Sequence, residues 1–533
     1  MTPPRYLGNE AAQTALNCPV WLGSLQSIRG ASEITPSPLT KTGTMKSIYR
    51  FSQNETDEKK NWFHWTTDVD VVQGFIAGDT TERTYYTGDG VPKVTDTVLA
   101  LTGSGTNYPI ASYTLGVPKP TTALTTAKTG TPDPNTTTET RVYTFTYVNS
   151  WGEESAPYAA VSPATMAPST EDVYPGESVV VTMPTAPTGS YNVTKKRIYR
   201  SASGTANTSY FFVAEVAVAT TTYTDSIAGD SLNEEIPSIT WEHPKAGMKG
   251  LVGLPNGVMV GFSGNDIYFS EPYRPFAWPT QYAQTVGYPV VGLGVIDTTV
   301  VVLTKGRPYF LQGSHPDSMV MVEADVNQAC ISKKSIVSMS NYVFYASPDG
   351  LVGLSPGGSA VVTQSMFDKY TWQNLNPEDL VGCMYESKYV GFLETTSGNG
   401  GFVYDITGKT WNFHNLYATG AYNDLKNDAL YIIKSNELWK WDTGSVLSYT
   451  WKSKKFTFSE PKAFTCYRVQ AEAYPITFKL YREGTEIVNK SITSSSLQRI
   501  PSGLGTDWEF QLEGNTEVYN VQIAQSPMEL NQG

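Results

Sequence analysis

The sequence is poor in cysteine, in histidine, in charge and in anything that repeats with the period of a helix. Its four cysteines, Cys18, Cys330, Cys383 and Cys466, stand far apart in 533 residues. A zinc site wants ligands paired about two to four residues apart, and no such spacing occurs. Buried free thiols are the expectation. The four histidines, His64, His243, His315 and His414, are just as scattered. None sits in a ligand motif, and strand edges or loops are their expected places.

Only 17% of the residues are charged, and the balance is acidic, with 50 Asp and Glu against 38 Lys and Arg, a net charge of −12 and a pI near 5.0. Binding to DNA by counterion release needs clustered cations. The densest basic stretches are Lys195-Lys196-Arg197 and Lys452-Ser453-Lys454-Lys455, each beside strand-like sequence and read as a solvated strand end. An acidic surface repels nucleic acid, which suits a protein that keeps away from DNA or lets it slide past.

Catalytic signatures are missing too. There is no Gly-x-x-x-x-Gly-Lys-Ser/Thr loop and no nucleophile elbow. Gly103-Ser104-Gly105 lacks a following helix whose N-terminus would hold a phosphate. A glycosidase would need two carboxylates roughly 5–9 Å apart; Asp266, Glu271, Asp297, Glu323, Asp349 and Asp405 are candidates, but several lie in turns, where Asp is ordinary. Ser347-Pro348-Asp349-Gly350 half imitates a sialidase box and is not repeated. No catalytic, cofactor-binding or metal residue is therefore assigned, and the chain is read as a non-enzyme. The longest apolar stretch, Val290 to Leu303, is broken by Gly292, Gly294 and Asp297 and falls short of the ~20 residues of a membrane helix. Met1-Thr2-Pro3-Pro4-Arg5 does not lead into a signal-peptide core. Synthesis in the cytoplasm without membrane insertion is expected.

What the chain does have is aromatics and turns: 33 tyrosines, 20 phenylalanines and 12 tryptophans, with 45 glycines and 33 prolines. That is the composition of strands joined by tight loops. Helical turns are expected only at Glu10 to Leu16 and Gln364 to Tyr370. Elsewhere apolar alternation over four to eight residues meets Gly, Pro, Asn or Asp. At roughly 150 residues per domain, three or four domains are expected. Residues 1–116 hold an irregular start and the first strands of a larger β unit. Residues 117–240 open with a Thr- and Pro-rich linker, to about 140, and continue with sandwich spacing. Within them, Tyr147-Val148-Asn149-Ser150-Trp151-Gly152-Glu153-Glu154-Ser155 and Arg197-Ile198-Tyr199-Arg200-Ser201 resemble a fibronectin type III domain. Between 241 and 445 five hairpins begin at Gly257, Val300, Tyr342, Tyr389 and Ala429, 40 to 47 residues apart, a period that predicts a β-propeller. Residues 446–533 continue in strands without that rhythm and predict a small terminal β-sandwich. The fold class expected is thus all-β: a propeller carrying an inserted fibronectin/Ig-like sandwich and a C-terminal β-rich segment.

Two stretches resemble the tail nozzle, or tubular protein B, of short-tailed bacteriophages. The first is Asn9-Glu10-Ala11-Ala12-Gln13-Thr14-Ala15-Leu16-Asn17 with Trp21-Leu22-Gly23-Ser24-Leu25. The second and more specific is Gly253-Leu254-Pro255-Asn256-Gly257-Val258-Met259-Val260-Gly261-Phe262, running into Ile267-Tyr268-Phe269-Ser270-Glu271-Pro272-Tyr273-Arg274-Pro275-Phe276-Ala277-Trp278-Pro279. The resemblance implies a virion structural protein of the tail. It would be a homo-hexamer that stands below the adaptor and portal, lines the exit channel for duplex DNA without reading its sequence, and carries tail fibres or spikes. From the net charge, acidic side chains are expected to face that channel, and the fibronectin-like domain to project outward. The alternative is a receptor- or glycan-binding adhesin, of phage or cell surface, built on the same modules.

Overall fold

The computed structural model describes residues 12–19, 24–51, 55–158, 169–202, 209–364, 366–395 and 398–531. Strands dominate, and the α-helices among the described residues are single turns, Thr97–Leu101 and Lys369–Gln373, so the chain is all-β. Glu10 lies outside the described residues, and Ala12–Leu16, expected as a helical turn, is a strand.

Seven antiparallel sheets follow one another among the described residues. Sheet I is Ser47–Arg50 with Trp62–Trp65. Sheet II is Asp70–Gln73, Thr84–Thr87, Lys93–Thr95 and Tyr113–Thr114. Sheet III is Lys249–Gly253, Met259–Ser263, Asp266–Phe269 and Gln284–Thr285. Sheet IV is Val290–Ile296, Thr299–Thr304, Tyr309–Gln312 and Val320–Glu323. Sheet V is Val337–Met339, Tyr342–Ser347, Gly350–Ser355 and Gly358–Val361. Sheet VI is Val381–Tyr385, Lys388–Thr395, Gly398–Asp405 and Thr410–His414. Sheet VII is Gly420–Asp424, Ala429–Lys434 and Glu437–Lys440, completed by Ser32–Glu33 from the other end of the chain. All five hairpins read in the sequence are the second and third strands of sheets III to VII.

The strand period explains how these sheets pack. Successive side chains point to opposite faces, and here both faces are buried. Val300 and Val302 face the core shared with sheet III, while Val301 and Leu303 face the core shared with sheet V. Tyr85 turns toward sheet III and Tyr86 toward sheet I. Further cores join V to VI, VI to VII and VII to I. The sheets therefore close on themselves in cyclic order, with their first strands innermost. Burial of both faces makes strands such as Thr299–Thr304 and Ala429–Lys434 near-continuous apolar runs where alternation was expected. The turns are tight: Glu386 and Ser387 both have positive φ, as do Ser435 and Asn436, the two-residue geometry that matches the twist of a hairpin.

Between sheets II and III the chain departs into seven strands. Thr170–Val173, Glu139–Asn149, Val193–Ser201 and Tyr210–Ala217 form one sheet; Thr125–Gly130, Glu177–Thr182 and Thr222–Asp225 form the other. They share a core of Tyr143, Phe145, Val179, Val181 and Ile198. Thr125–Gly130, expected as linker, pairs along its length with Glu177–Thr182. It is an edge strand with little buried side chain, so no apolar alternation marks it. After sheet VII, strands from Tyr449–Ser453 to Val518–Ala524 enclose a separate core around Tyr467, Phe478 and Leu480. Ala12–Leu16 joins this unit to the ring, pairing parallel with Thr410–His414 and antiparallel with Tyr449–Ser453.

Candidate functional site

The cysteines and two of the histidines are enclosed in the fold. All four cysteines are buried and free, and burial pushes the Cys18, Cys330 and Cys383 thiols up to about 12. His64 is fully buried; its Nε2 accepts from the amides of Thr40 (3.1 Å) and Lys41 (3.2 Å), and burial lowers its pKa to about 4. His414, buried between Phe392 and Trp441, is lowered to about 3 by the same cause. His243 is lowered by burial, and exposed His315 pairs with Asp317 at 2.6 Å.

The six candidate carboxylates serve different neighbours. Asp266 accepts from Thr285 Oγ1 (2.6 Å), Glu271 from the Tyr282 hydroxyl (3.1 Å), Glu323 pairs with Arg307 (2.8 Å) and Asp349 with Lys369 (2.9 Å). Asp405 accepts from the amides of Thr407 and Gly408 within its turn. Asp297 holds positive φ at the turn from Ile296 to Thr299. No group of three or more His, Cys, Asp or Glu is placed to hold a metal among the described residues. Within the basic stretches, Lys195 and Arg197 pair with Glu215, Arg197 also with Glu154, and Lys452 with Glu509, while Lys454 and Lys455 lie just past the end of Tyr449–Ser453.

The Ser270–Pro279 stretch has a definite place. It is a compact loop in which Glu271 N donates to Ala277 O (2.9 Å) and the Trp278 indole N–H to Pro275 O (2.8 Å). The chain leaves the ring for the inserted unit beside this loop and returns beside it. Trp278 N donates to Glu242 O at 2.7 Å, the Arg274 guanidinium lies 4.8 Å from the Trp241 ring, and Trp241 meets Phe276 edge-on at 5.7 Å. Lys119 on the way out pairs with Glu242 on the way back at 2.7 Å. Gly116 has φ +82, and a Cβ there would come within 3.0 Å of Pro244, Phe276 and His243, so only glycine fits this crossing. A second seam lies nearby. Arg83 bridges Asp79 and Glu153, each at 3.1 Å, and lies over Trp151, while Thr114 N donates to Ser190 O at 2.7 Å.

The two ends of the ring differ. Where the first strands begin, Lys333 pairs with Asp70 (2.7 Å), and Lys334 pairs with Asp68 (3.0 Å) and donates to Thr419 O (2.9 Å). Both lysines precede sheet V, yet they reach sheets II and VII, so they cross the middle of the ring. Burial raises the Asp70 carboxyl against the opposing pull of Lys333 and lowers Lys334 against that of Asp68. Where the first strands end, two cavities flank Gln73. One opens toward Phe75, Leu254 and Val295 of sheets II to IV. The other lies between sheets I, II and VII and is lined by Tyr49, Arg50, Glu82, Tyr422 and Asn427. The sequence pointed to the Ser270–Pro279 loop through its Ser-Glu-Pro pattern but not to the cavities, one of which brings together Tyr49 and Tyr422, 373 residues apart.

No protein-family model matches the chain, and no curated protein matches it. Among solved structures, BBS1N in complex with ARL6DN is similar over 50% of this chain and 86% of its own, at 9% identity and a TM-score of 0.27. PorZ, an essential bacterial surface component of the type-IX secretion system of Porphyromonas gingivalis, is similar over 91% of this chain and 82% of its own, at 11% identity and a TM-score of 0.25. Likeness at these scores carries no argument about function.

Proposed function

We propose that this chain is a tail nozzle subunit of a short-tailed bacteriophage, built on a seven-bladed β-propeller with an inserted fibronectin-like sandwich. In this reading six copies form a closed ring below the adaptor. Duplex DNA leaves through the channel between them, and fibres or spikes dock on the outside. The observation that carries it is the Ser270–Pro279 loop. The residues that resemble the nozzle family are also those that lock the inserted unit to the ring, through Trp278, Arg274 and Phe276.

Two features support the architecture. A closed cycle of sheets is stiff and protects its strand edges, as a load-bearing ring requires. Lys333 and Lys334 cross the middle of each propeller, so a passage for DNA is formed between copies, as in a closed cyclic oligomer. Single-particle imaging of the native assembly, with symmetry left free, tests this. A six-fold ring around a channel wide enough for duplex DNA is the expected result. A monomer or trimer without an axial channel refutes it and favours the adhesin.

A further inference from the structure

The two sheets of the C-terminal unit part at one edge. Phe456–Lys462 is the outer strand there of one sheet and pairs, among the described residues, with Gly505–Gly514 alone. Val518–Ala524 is the outer strand of the other and pairs with Cys466–Ala471. Register opens the gap. Thr457 faces Asp507 but Lys462 faces Gly505, so the four residues from Phe458 to Pro461 stand opposite Thr506 alone. Such a bulge bends its strand and re-aims its side chains. The slot between the sheets has a volume of about 200 Å³. Phe456, Phe458, Trp508 and Phe510 line it from one sheet, and Val521 and Ile523 from the other. Phe464 meets Trp508 edge-on at 4.9 Å and Phe458 at 5.7 Å.

The polar side chains of the lining are already engaged, and that selects the ligand. The Trp508 indole N–H donates to Gly505 O at 2.9 Å. The Glu509 carboxylate accepts from Gln13 Nε2 at 2.8 Å and pairs with Lys452 at 3.0 Å. A sugar or an acid entering the slot would give up its water and find no side chain free to replace it. A cation fares no better. The Lys454 ammonium already lies 5.3 Å from the Phe456 ring, and the Arg482 guanidinium 5.9 Å from that of Trp508, so positive charge already stands against the aromatic walls. What the slot offers is hydrocarbon and ring faces. An apolar cavity of roughly 150 Å³ takes up a molecule as small as benzene. Aromatic walls also give a ring edge and offset contacts, a gain beyond area burial that a saturated chain lacks.

We infer that this slot is a binding site for a small uncharged aromatic molecule, one ring in size. Phe456, Phe458 and Phe464 are only half-buried, and a ring seated against them takes their remaining apolar surface out of water. The site belongs to a single chain and does not rest on the tail reading.

The test is calorimetric titration of the full chain with indole and with toluene, set against benzoate, octanoate, choline and methyl glucoside. Saturable binding of both neutral rings is expected, with weaker binding of the other four. Val521→Phe fills the slot from within and should abolish ring binding while the thermal midpoint holds or rises. Phe458→Ala should weaken binding about fivefold, the loss of one aromatic pair. Those two positions lie on opposite sheets, so one remains informative if the other variant misfolds. Tyr370→Ala, at an exposed tyrosine outside the slot, should bind as the parent does. No saturable binding of either ring, a preference for octanoate or choline, tighter binding of a capped Gly-Trp-Gly peptide than of indole, or ring binding undiminished in both slot variants would overturn the inference.

Discussion

His64 and His414 each hold a neutral imidazole inside the ring, and that makes the fold sensitive to acid. Their folded pKa values, about 4 and about 3, lie below the ordinary value of 6.5. Between those values the unfolded chain binds more protons than the folded one, so stability rises with pH. Their contribution is complete above pH 6.5 and is lost as pH falls toward 4 and then 3. At roughly 1.4 kcal/mol per unit, His64 alone accounts for on the order of 3 kcal/mol. Denaturant midpoints measured from pH 7 to 4 should fall less steeply in His64→Gln than in the parent. In the inserted unit, Arg200 and Asp225 pair at 2.6 Å with both side chains fully buried, and the Tyr143 hydroxyl donates to the same oxygen at 2.7 Å. Removing one partner leaves a buried charge alone, so Asp225→Ala should cost about 3–5 kcal/mol, read as a shift of the urea midpoint.

At the scale of elements, the neck around the Ser270–Pro279 loop decides whether the inserted unit is held or swings free. Trp241→Ala removes the stack with Arg274 and the edge contact with Phe276 together. Faster cleavage at residues 116–119 and 238–244 in limited proteolysis is expected, with the ring itself still protected. Unchanged cleavage would place the holding contacts at the Arg83 seam instead. The neck also marks what sequence could tell. Hairpins such as Met259–Ser263 with Asp266–Phe269 were legible because apolar strands flank a glycine turn, where Gly264 sits at φ +65. The edge strand Thr125–Gly130 was not, because it buries almost nothing. Ala12–Leu16 was misread because Ala, Gln and Leu favour helix locally, while neighbours on both edges impose a strand. The cavity was out of reach altogether: Tyr49 and Tyr422 meet only once the sheets close on themselves.

For the whole molecule, closure depends on a short segment. Ser32–Glu33 is the fourth strand of sheet VII, and Ile34 enters the core between VII and I. Deleting residues 1–35 should lower the thermal midpoint of the ring while leaving the inserted unit folded; two separate calorimetric transitions would report this. With a net charge of −12 and with Lys195, Arg197 and Lys452 paired to carboxylates, the chain should not retard duplex DNA in a gel at physiological salt.

The same closure sets a schedule for biosynthesis. Ala12–Leu16 waits for Thr410–His414 and Tyr449–Ser453, and Ser32–Glu33 waits for Glu437–Lys440. A ribosome adding roughly 5–20 residues per second takes on the order of 20–80 s to supply those partners. For that interval sheet VII lacks its last strand and the nascent ring stays open, so Ala12–Leu16 and Ser32–Glu33, made before their partners, are among the last strands to pair.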